Sequence, residues 1–465
     1  MERFALLTSD YKIVKSDSRG CLHTVALSSL SSLDNVLYVT KRVDDYTLQV
    51  ISPALLWWDV EKKRVNRAFA NGYVTIENIS GFFSVKTDDG KYLQARECGM
   101  VAYNSFSEGV LERNCLFRFL SEQELDFLWY LTRNEWVIDP CLLRARVNEA
   151  DSSSEFLSFG SFTLSLETIL ENFGRFHNKN EFIFLSDDNI YRVVLYRPVL
   201  FYAAFGETVI NQLVTSLESL VDPGFYTGDI IIITNIDHAS FKSVCPRQLY
   251  PKCHIVRMEA FDYADFVAIR QTVLASGLLD KYSPIIYIDT DVVVNCSLNK
   301  IMTEGAPERF LSAQFEYWHD DFRYTESSGQ LLYGLDPFPV DRKCGGFNGG
   351  VLLIPQILKN KPYLDLAFYS HIVYSTRHGR SAIPFREQHV MNYALQKLQA
   401  VDLTFITART DVGGNLDSDI VQHYGSMDVR KPRGFIHFWC TAVAERAWPM
   451  SDYIRKIRDY RKRDH

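Results

Sequence analysis

The stretch Pro284-Ile285-Ile286-Tyr287-Ile288-Asp289-Thr290-Asp291-Val292-Val293-Val294 decides the fold class of this chain. A short apolar run comes first, and two aspartates separate it from three valines. A continuous apolar run of this kind is typical of a strand that is covered on both faces, as in a largely parallel sheet. In such sheets the ligand crevice lies beyond the carboxyl ends of the strands. The two aspartates therefore stand where a ligand is expected to bind.

The residues on both sides of this stretch alternate between apolar strands and helical patterns. Residues 199–204 (VLFYAA) and 230–233 (IIII) are apolar runs, whereas 207–220 and 266–279 carry apolar residues at helical spacing. Strands that alternate with helices indicate a sheet with helices packed on its faces. We therefore predict an α/β domain with a mostly parallel mixed sheet over residues 192–450.

Residues 1–121 show short strands separated by turn signals. In the clearest unit, strand-like residues 83–87 and 91–95 flank the turn Asp88-Asp89-Gly90. Fainter versions begin near Tyr11 and Tyr46, so units of roughly 40 residues predict a closed threefold barrel. This pattern resembles the β-trefoil repeats of fascin-like and related lectin-like proteins. An ordinary β-rich domain of another topology is the alternative.

The segment from 122 to 191 is predicted to be a connector or additional strands. It opens with a helical pattern in which Ser121 and Glu124 have the spacing of a capping box.

The last residues, 451–465, form a basic tail. Two interpretations of the tail stay open, a solvated helix end or docking to anionic lipid at the cytoplasmic face of a membrane. Its cationic residues are Arg455, Lys456, Arg458, Arg461, Lys462 and Arg463.

The composition excludes several classes of protein. The chain has 465 residues, a net charge of −7, 47% hydrophobic and 23% charged residues, which are ordinary globular values. An acidic balance argues against a dedicated nucleic-acid-binding protein. No apolar run approaches the ~18 residues of a membrane-spanning helix. The nine cysteines lack zinc-binding spacing, and we expect reduced thiols in a soluble cytoplasmic protein.

The carboxylates of Asp289 and Asp291 predict a metal site. Residues two apart on a strand point to the same side, about 6.5 Å from each other. Two such charges repel by roughly 2–3 kcal/mol at an effective dielectric constant of about 20, and apolar surroundings raise that cost. A divalent cation removes the repulsion, and oxygen ligands suit Mn²⁺ or Mg²⁺. The alternative is that one aspartate caps a turn while the other is solvated.

Four further segments place polar residues beside apolar runs. Glu316 ends the run RFLSAQFE, and Asn348 stands between glycine pairs just ahead of the predicted strand VLLI. Glu387 and Gln388 open a helical pattern, and His437 lies in the apolar segment GFIHF. Each has a purely structural alternative: a solvated strand end, a ligand-free loop, a favourable charge at a helix start or a core histidine.

Taken in order, these segments resemble the family-8 retaining glycosyltransferases, the group that contains glycogenin and the bacterial lipopolysaccharide galactosyltransferases. The resemblance covers about residues 195–450 and consists of an Arg-bearing helix, YIDTD, an acid-ended strand, FNGGVLLI, an acid-Gln helix start and HF. It implies a nucleotide-sugar transferase fold of the GT-A type. It also implies transfer of a hexose, glucose or galactose, from a UDP-sugar to a glycan, lipid-linked or protein acceptor.

The resemblance further implies roles for individual residues. Asp289, Asp291 and His437 would bind Mn²⁺, with Mg²⁺ as the alternative. Gln388 would lie beneath the anomeric carbon, with Glu387 alongside it. The residues that would contact the donor are Arg270, Thr290, Glu316, Asn348, Gly349, Arg446 and Phe205.

Two segments depart from the family pattern. The family follows HF with a glycine and a Lys-Pro-Trp element that grips the diphosphate, whereas this chain has Arg446-Ala447-Trp448 after a longer spacer. Arg446 is therefore the predicted diphosphate cation. The first strand lacks the usual base-binding pair, so Phe205 is the residue predicted to stack on the base.

Two other functions stay open at this point. One is a catalytically inert carbohydrate-binding or scaffolding protein, an alternative to which the altered C-terminal element gives some weight. The string Asp289-Thr290-Asp291-Val292-Val293 also fits the nucleophile motif of haloacid-dehalogenase-like phosphatases. That motif normally lies near the start of its domain, which is not its place here. A phosphatase would also leave the FNGG and HF segments unexplained.

Overall fold

The computed structural model describes residues 2–17, 21–41, 46–50, 56–59, 64–66, 73–87, 89–96, 98–105, 111–153, 155–173, 180–186, 189–260, 263–316, 321, 330–338, 345–379, 387–414 and 428–463. The chain divides into two compact units, Met1–Val194 and Leu195–His465. Among the described helices, none has both the length and the apolar character needed to cross a membrane.

The first unit contains a twelve-stranded sheet within its described residues. Its strands are β1 (Glu2–Thr8), β2 (Lys12–Ser16), β3 (Leu22–Ala26), β4 (Leu37–Lys41), β5 (Tyr46–Val50), β6 (Leu56–Asp59), β7 (Arg64–Asn66), β8 (Tyr73–Ile79), β9 (Phe82–Thr87), β10 (Tyr92–Ala95), β11 (Val101–Asn104) and β12 (Phe117–Ser121). Antiparallel pairings run from β1 through β4, β5, β8, β9 and β12 back to β1, which closes a ring. The pairs β2-β3, β6-β7 and β10-β11 form hairpins outside this ring.

Two turns of this sheet, β1-β2 and β9-β10, have the same hydrogen bonds. In each, a threonine hydroxyl donates to an aspartate and to the carbonyl of a lysine, whose own N–H donates back to the threonine. The residues are Thr8, Asp10 and Lys12 in one turn and Thr87, Asp89 and Lys91 in the other. Each turn also has one residue of positive φ, Tyr11 and Gly90. The same turn therefore occurs once among strands β1–β4 and again among strands β9–β12.

The rest of the first unit forms a second sheet with two helices. Its strands are β13 (Glu135–Asp139), β14 (Leu143–Asn148), β15 (Phe156–Phe159), β16 (Phe162–Ser165), β17 (Glu181–Ser186) and β18 (Asn189–Tyr196), and its helices are α1 (Glu122–Arg133) and α2 (Leu166–Phe173). The predicted capping box is confirmed, because Glu124 N donates to Ser121 Oγ at 3.2 Å and Ser121 N to Glu124 Oε2 at 2.7 Å.

The second unit is built on a seven-stranded mixed sheet in the order β21-β20-β19-β22-β25-β24-β26. These strands are β19 (Val199–Ala204), β20 (Asp229–Thr234), β21 (Cys253–Arg257), β22 (Ile285–Ile288), β24 (Leu311–Phe315), β25 (Phe347–Ile354) and β26 (Val401–Asp402). The described helices are α3 (Glu207–Val221), α4 (His238–Val244), α5 (Tyr263–Ala275), α6 (Leu298–Gly305), α7 (Gln330–Gly334), α8 (Ile357–His378), α9 (Glu387–Lys397) and α10 (Ala447–Arg463). Apolar side chains from strands and helices, among them Phe201, Ile231, Leu352 and Met391, form one buried cluster.

The structure corrects two details of the sequence-based expectations. Strand β25 runs antiparallel to both β22 and β24, and it begins at Phe347, so Asn348 lies inside the strand and not ahead of it. Glycines do not prevent strand pairing, and they mark places where other groups approach the backbone closely. Leu398 continues the helical spacing of the buried Ala394 and Leu395, yet it is 40% exposed because α9 has already ended at Lys397.

A small second sheet places the two aspartates at a junction. Its strands are β23 (Val292–Val294), β27 (Thr410–Val412) and β28 (Phe435–His437), in the order β23-β28-β27. Residues 289–291 thus connect the end of β22 in the large sheet to the start of β23 in the small one. In the register of β23 with β28, Val292 lies opposite His437. The pairing therefore brings the histidine next to the aspartates although Val292 and His437 are 145 positions apart in the sequence.

Candidate functional site

The structure brings Asp289, Asp291 and His437 into one cluster. One ligand atom from each lies within 4.8 Å of the others. His437 Nε2 is 3.3 Å from Asp291 Oδ1 and 4.0 Å from Asp289 Oδ2. Two carboxylates and an imidazole that converge in this way are a donor set suited to Mn²⁺ or Mg²⁺. The residues present therefore fit a divalent cation.

Gly350 makes room for the histidine of this cluster. A Cβ atom at position 350 would lie 2.1 Å from His437 Cε1 and 2.7 Å from His437 Nε2, which is far inside van der Waals contact. The carbonyl of Gly350 also accepts a hydrogen bond from Asp289 N at 2.8 Å. The second glycine of FNGG thus lets the β25 backbone hold the aspartate while the imidazole ring packs against it.

The charges in the cluster shift one another's pKa values. Burial raises the pKa of Asp289, and the nearby Arg270 offsets only part of that rise. Burial also acts to raise the pKa of Asp291, but His437 and Arg446 outweigh it, so the net pKa lies below its usual value. For His437, burial acts to lower the pKa, but the two carboxylates outweigh it and the net pKa is raised. These shifts favour an ionised Asp291 beside a protonated imidazole.

Metal affinity is expected to depend on pH through His437. An imidazolium cannot bind a metal ion, and the raised pKa of His437 means that protons compete at higher pH than they do for a free histidine. We expect Mn²⁺ affinity to fall by about tenfold per pH unit below that pKa. Titrations of Mn²⁺ at several pH values, with circular dichroism to check folding, measure this. An affinity independent of pH between about 8 and 6 would contradict the ligand role of His437.

Tyr287 orients one of the carboxylates. Its hydroxyl donates a hydrogen bond to Asp289 Oδ1, and the Arg270 guanidinium lies 4.7 Å from the centre of its ring. Tyr287 is buried, as is Arg270, so neither side chain is free to turn away. Tyr287 is not among the residues predicted from the sequence. The signal was present, because Tyr287 and Asp289 are two residues apart and point to the same side.

Tyr287→Phe is expected to weaken Mn²⁺ binding by about tenfold without loss of fold, because partners that orient a metal ligand typically contribute that much. Tyr226→Phe is the matched control, since Tyr226 is also buried but its hydroxyl donates to Asp229 O, outside the cluster. Electron paramagnetic resonance of free Mn²⁺ measures both affinities. Equal loss in the two variants would show that Tyr287 acts only on general stability.

A second set of polar side chains meets at Asn348 and Gly349 of β25. Asn348 Nδ2 donates to Glu316 Oε1 at 2.9 Å, and Gln388 Nε2 lies 3.5 Å from Glu316 Oε2. Gln388 Oε1 accepts the N–H of Gly349 at 3.1 Å. Four of the residues predicted to contact the donor or lie beneath its sugar are therefore mutually hydrogen-bonded. Glu387 begins α9, but its side chain lies outside the described part of the structure.

Asn392 fixes α9 against β25, and the sequence analysis did not single it out. Its Oδ1 accepts from Phe347 N at 2.8 Å, and its Nδ2 donates to Phe347 O at 2.9 Å and to Gln388 O at 3.0 Å. The side chain is completely buried. These bonds set the position of Gln388 relative to Asn348, one residue beyond Phe347.

Three other residues predicted to contact the donor, Arg270, Thr290 and Phe205, already contact other parts of the protein. The buried Arg270 guanidinium donates to Gly349 O, and a Cβ at Gly349 would lie 2.6 Å from Arg270 Nη2. Thr290 Oγ1 donates to Gln212 Oε1 at 3.3 Å. Phe205 is only 5% exposed within the main apolar cluster, which leaves little ring surface for a base. Its stacking role stays a prediction.

Arg446 contacts the metal cluster directly. Its Nη1 lies 2.7 Å from Asp291 Oδ2, while Nε donates to Thr441 O at 2.7 Å and Nη2 to Trp439 O at 3.1 Å. The prediction placed Arg446 on a diphosphate and did not include this ion pair. One guanidinium edge thus holds Asp291 in place, and two backbone carbonyls hold the guanidinium.

The basic residues of the C-terminal tail belong to α10, and most of them contact acidic side chains. Arg458 and Arg461 lie 3.2 and 3.5 Å from Asp222, and Arg455 lies 2.5 Å from Asp452. The apolar face of the same helix is buried in the second unit. Membrane contact through this tail stays a prediction.

Comparisons with known proteins give a likeness to solved structures only. No family model and no curated protein matches the chain. The galactosyltransferase LgtC in complex with donor and acceptor sugar analogues is 12% identical and matches 56% of this chain and 95% of its own, with a TM-score of 0.39. An active-site mutant of LgtC is 13% identical over 55% and 95%, with a TM-score of 0.39. Mouse xyloside xylosyltransferase 1 in its apo form is 12% identical over 53% and 98%, with a TM-score of 0.37. These solved structures to which the chain is similar are glycosyltransferases.

Proposed function

We propose that the second unit is a metal-dependent, retaining glycosyltransferase of the family-8 type, which moves a hexose from a UDP-sugar to an acceptor hydroxyl. The observation that carries this proposal is the convergence of Asp289, Asp291 and His437 at the junction of two sheets. Near it, Asn348 of β25 is hydrogen-bonded to Glu316, which directly follows β24. The first group suits a cation and the diphosphate it holds, and the second suits sugar hydroxyls.

The residues around the proposed cation site would help the leaving group to depart. A bound divalent cation would offset the negative charge that grows on the departing UDP. Asp289, Asp291 and His437 would hold that cation, and Tyr287 and Arg446 would hold the two aspartates. These contacts are made before a substrate arrives, so the chain spends little free energy on reorganisation during the reaction.

The residues proposed to bind the sugar bear on how the acceptor attacks the anomeric carbon. Glu316 accepts and Asn348 both donates and accepts, so together they can bind adjacent sugar hydroxyls. Gln388 is an amide and therefore a poor nucleophile, which favours attack by the acceptor on the face that UDP leaves. A phosphate oxygen of the departing UDP would take the acceptor's proton. Covalent attack by Glu387 is the alternative route to retention.

We also propose that residues 1–121 form a β-trefoil. Three features support this: the ring of six paired strands, the three hairpins outside it and the turn repeated at Thr8 and Thr87. Apolar residues of the ring strands, including Leu6, Val39 and Phe117, pack together. Such a barrel has no open sheet edges along its ring.

The proposed function is tested by a screen of UDP-sugars with Mn²⁺ and with Mg²⁺, in which UDP release is measured. We expect release from UDP-glucose or UDP-galactose that chelation of the metal abolishes. p-Nitrophenyl phosphate in the same buffer is the matched substrate for a phosphatase. Hydrolysis of the phosphomonoester without UDP release would contradict a glycosyltransferase, and so would release that is unaffected by chelation.

A further inference from the structure

Arg446 is held in place more firmly than an ordinary surface arginine. Three of its guanidinium nitrogens have acceptors: Asp291 Oδ2 at 2.7 Å, Thr441 O at 2.7 Å and Trp439 O at 3.1 Å. The Asp291 carboxylate is 4% exposed, so its pairing with Arg446 is shielded from solvent on that side. A planar guanidinium bound at three corners loses all three bonds if it swings away. Arg446 is therefore expected to stay beside Asp291 when a ligand enters.

The negative charges of the cluster are already offset by neighbouring positive ones. Arg446 pairs with Asp291 and Arg270 acts on Asp289, so two guanidinium charges face the two carboxylates before any charge on His437 is counted. Arg446 leaves Asp291 Oδ1 open toward His437 Nε2, so the ligand atom itself is not blocked. A divalent cation that enters alone thus meets a site with no excess negative charge. A nucleoside diphosphate supplies the missing negative charge together with further oxygen ligands.

We propose that Arg446 is a built-in counter-ion that makes metal binding depend on the diphosphate. A divalent cation binds weakly to the chain alone and tightly when a nucleoside diphosphate binds with it. This inference rests on the proposed function, because it takes the cluster to be the site of a metal ion and a diphosphate. It differs from the family pattern, in which the C-terminal cation serves the diphosphate, since here the cation is bound to a metal ligand.

The experiment is calorimetric titration of the full chain with Mn²⁺ alone, with UDP alone and with Mn²⁺ in the presence of UDP, corrected for the Mn²⁺–UDP complex in solution. For the unaltered chain we expect UDP to strengthen Mn²⁺ binding by about a hundredfold or more. Arg446→Gln removes the charge and keeps a polar side chain of similar reach. It should bind Mn²⁺ alone about tenfold tighter than the unaltered chain, with a smaller gain from UDP.

Two further variants separate charge from structure. Arg446→Lys keeps the positive charge, so weak binding of Mn²⁺ alone is expected to persist. Arg458→Gln is the matched control, because Arg458 lies on the same helix but pairs with Asp222. It should leave both affinities unchanged.

The possible outcomes distinguish this inference from the proposed function. Tight binding of Mn²⁺ without UDP in the unaltered chain would overturn the inference alone. Unchanged or weaker binding of Mn²⁺ alone by a folded Arg446→Gln protein would do the same. Absence of heat with both ligands together would overturn the inference and the proposed function. If Arg446→Gln does not fold, the coupling measured in the unaltered chain still decides, because equal Mn²⁺ affinity with and without UDP contradicts the inference.

Discussion

Asp291→Asn is expected to reduce metal-dependent UDP release by about a thousandfold. The asparagine keeps the shape of the side chain but removes the charge that binds the cation, and a metal ion stabilises such a transition state by several kcal/mol. The measurement is the rate of UDP release from the best UDP-sugar of the screen at saturating Mn²⁺. The same variant should bind Mn²⁺ too weakly to detect in the presence of UDP.

Asp411→Asn is the matched control for this prediction. Asp411 is also a buried aspartate that pairs with an arginine at 2.7 Å, here Arg433, and it lies outside the metal cluster. Both substitutions leave an arginine without its charged partner, so both should cost comparable stability. Loss of UDP release in Asp411→Asn to the same extent would show that the effect of Asp291→Asn comes from the fold and not from metal binding.

Gly350→Ala is expected to have the second-largest effect. The added Cβ would lie 2.1 Å from His437 Cε1, and the imidazole is almost fully buried, so the ring or strand β25 must shift. Overpacking of this kind costs about 1–3 kcal/mol of unfolding free energy. Displacement of a ligand should lower Mn²⁺ affinity by about a hundredfold. Thermal unfolding and the resonance signal of free Mn²⁺ measure the two effects separately.

Gly334→Ala controls for a general effect of replacing glycine. A Cβ at position 334 meets no atom within 4 Å, and Gly334 lies at the end of α7. We expect its stability and Mn²⁺ affinity to stay close to those of the unaltered chain. Normal Mn²⁺ affinity in a folded Gly350→Ala protein would contradict the placement of His437 in the metal cluster.

Much of the second unit follows from periodicity in the sequence. The helix Glu207–Val221 and the strands Asp229–Thr234 and Ile285–Ile288 match the predicted segments, because continuous apolar runs and helical spacing are local properties. The direction of the strand Phe347–Ile354 is not local. Nothing in the string VLLI distinguishes a parallel from an antiparallel neighbour, so its antiparallel pairing with β22 required the structure.

The spacing of Asp289 and Asp291 was enough to predict a metal site, whereas His437 could be added only through the resemblance, since no spacing rule links positions so far apart. The contacts that hold the site residues in place could not be predicted from the sequence, because they join segments that are far apart in it. Arg446 meets Asp291 through a side-chain contact between distant segments, and Asn392 meets Phe347 in the same way. Such contacts depend on the register of paired strands and on helix orientation, and neither is encoded in one short segment.

The most direct test of the central claim is the number of Mn²⁺ ions bound per chain in the presence of UDP, measured by the resonance signal of free Mn²⁺. We expect one tightly bound ion per chain in the unaltered protein, and none in Asp291→Asn or in His437→Ala. If Mn²⁺ is not retained by the unaltered chain with UDP, or is retained equally by both variants, then Asp289, Asp291 and His437 do not form the metal site.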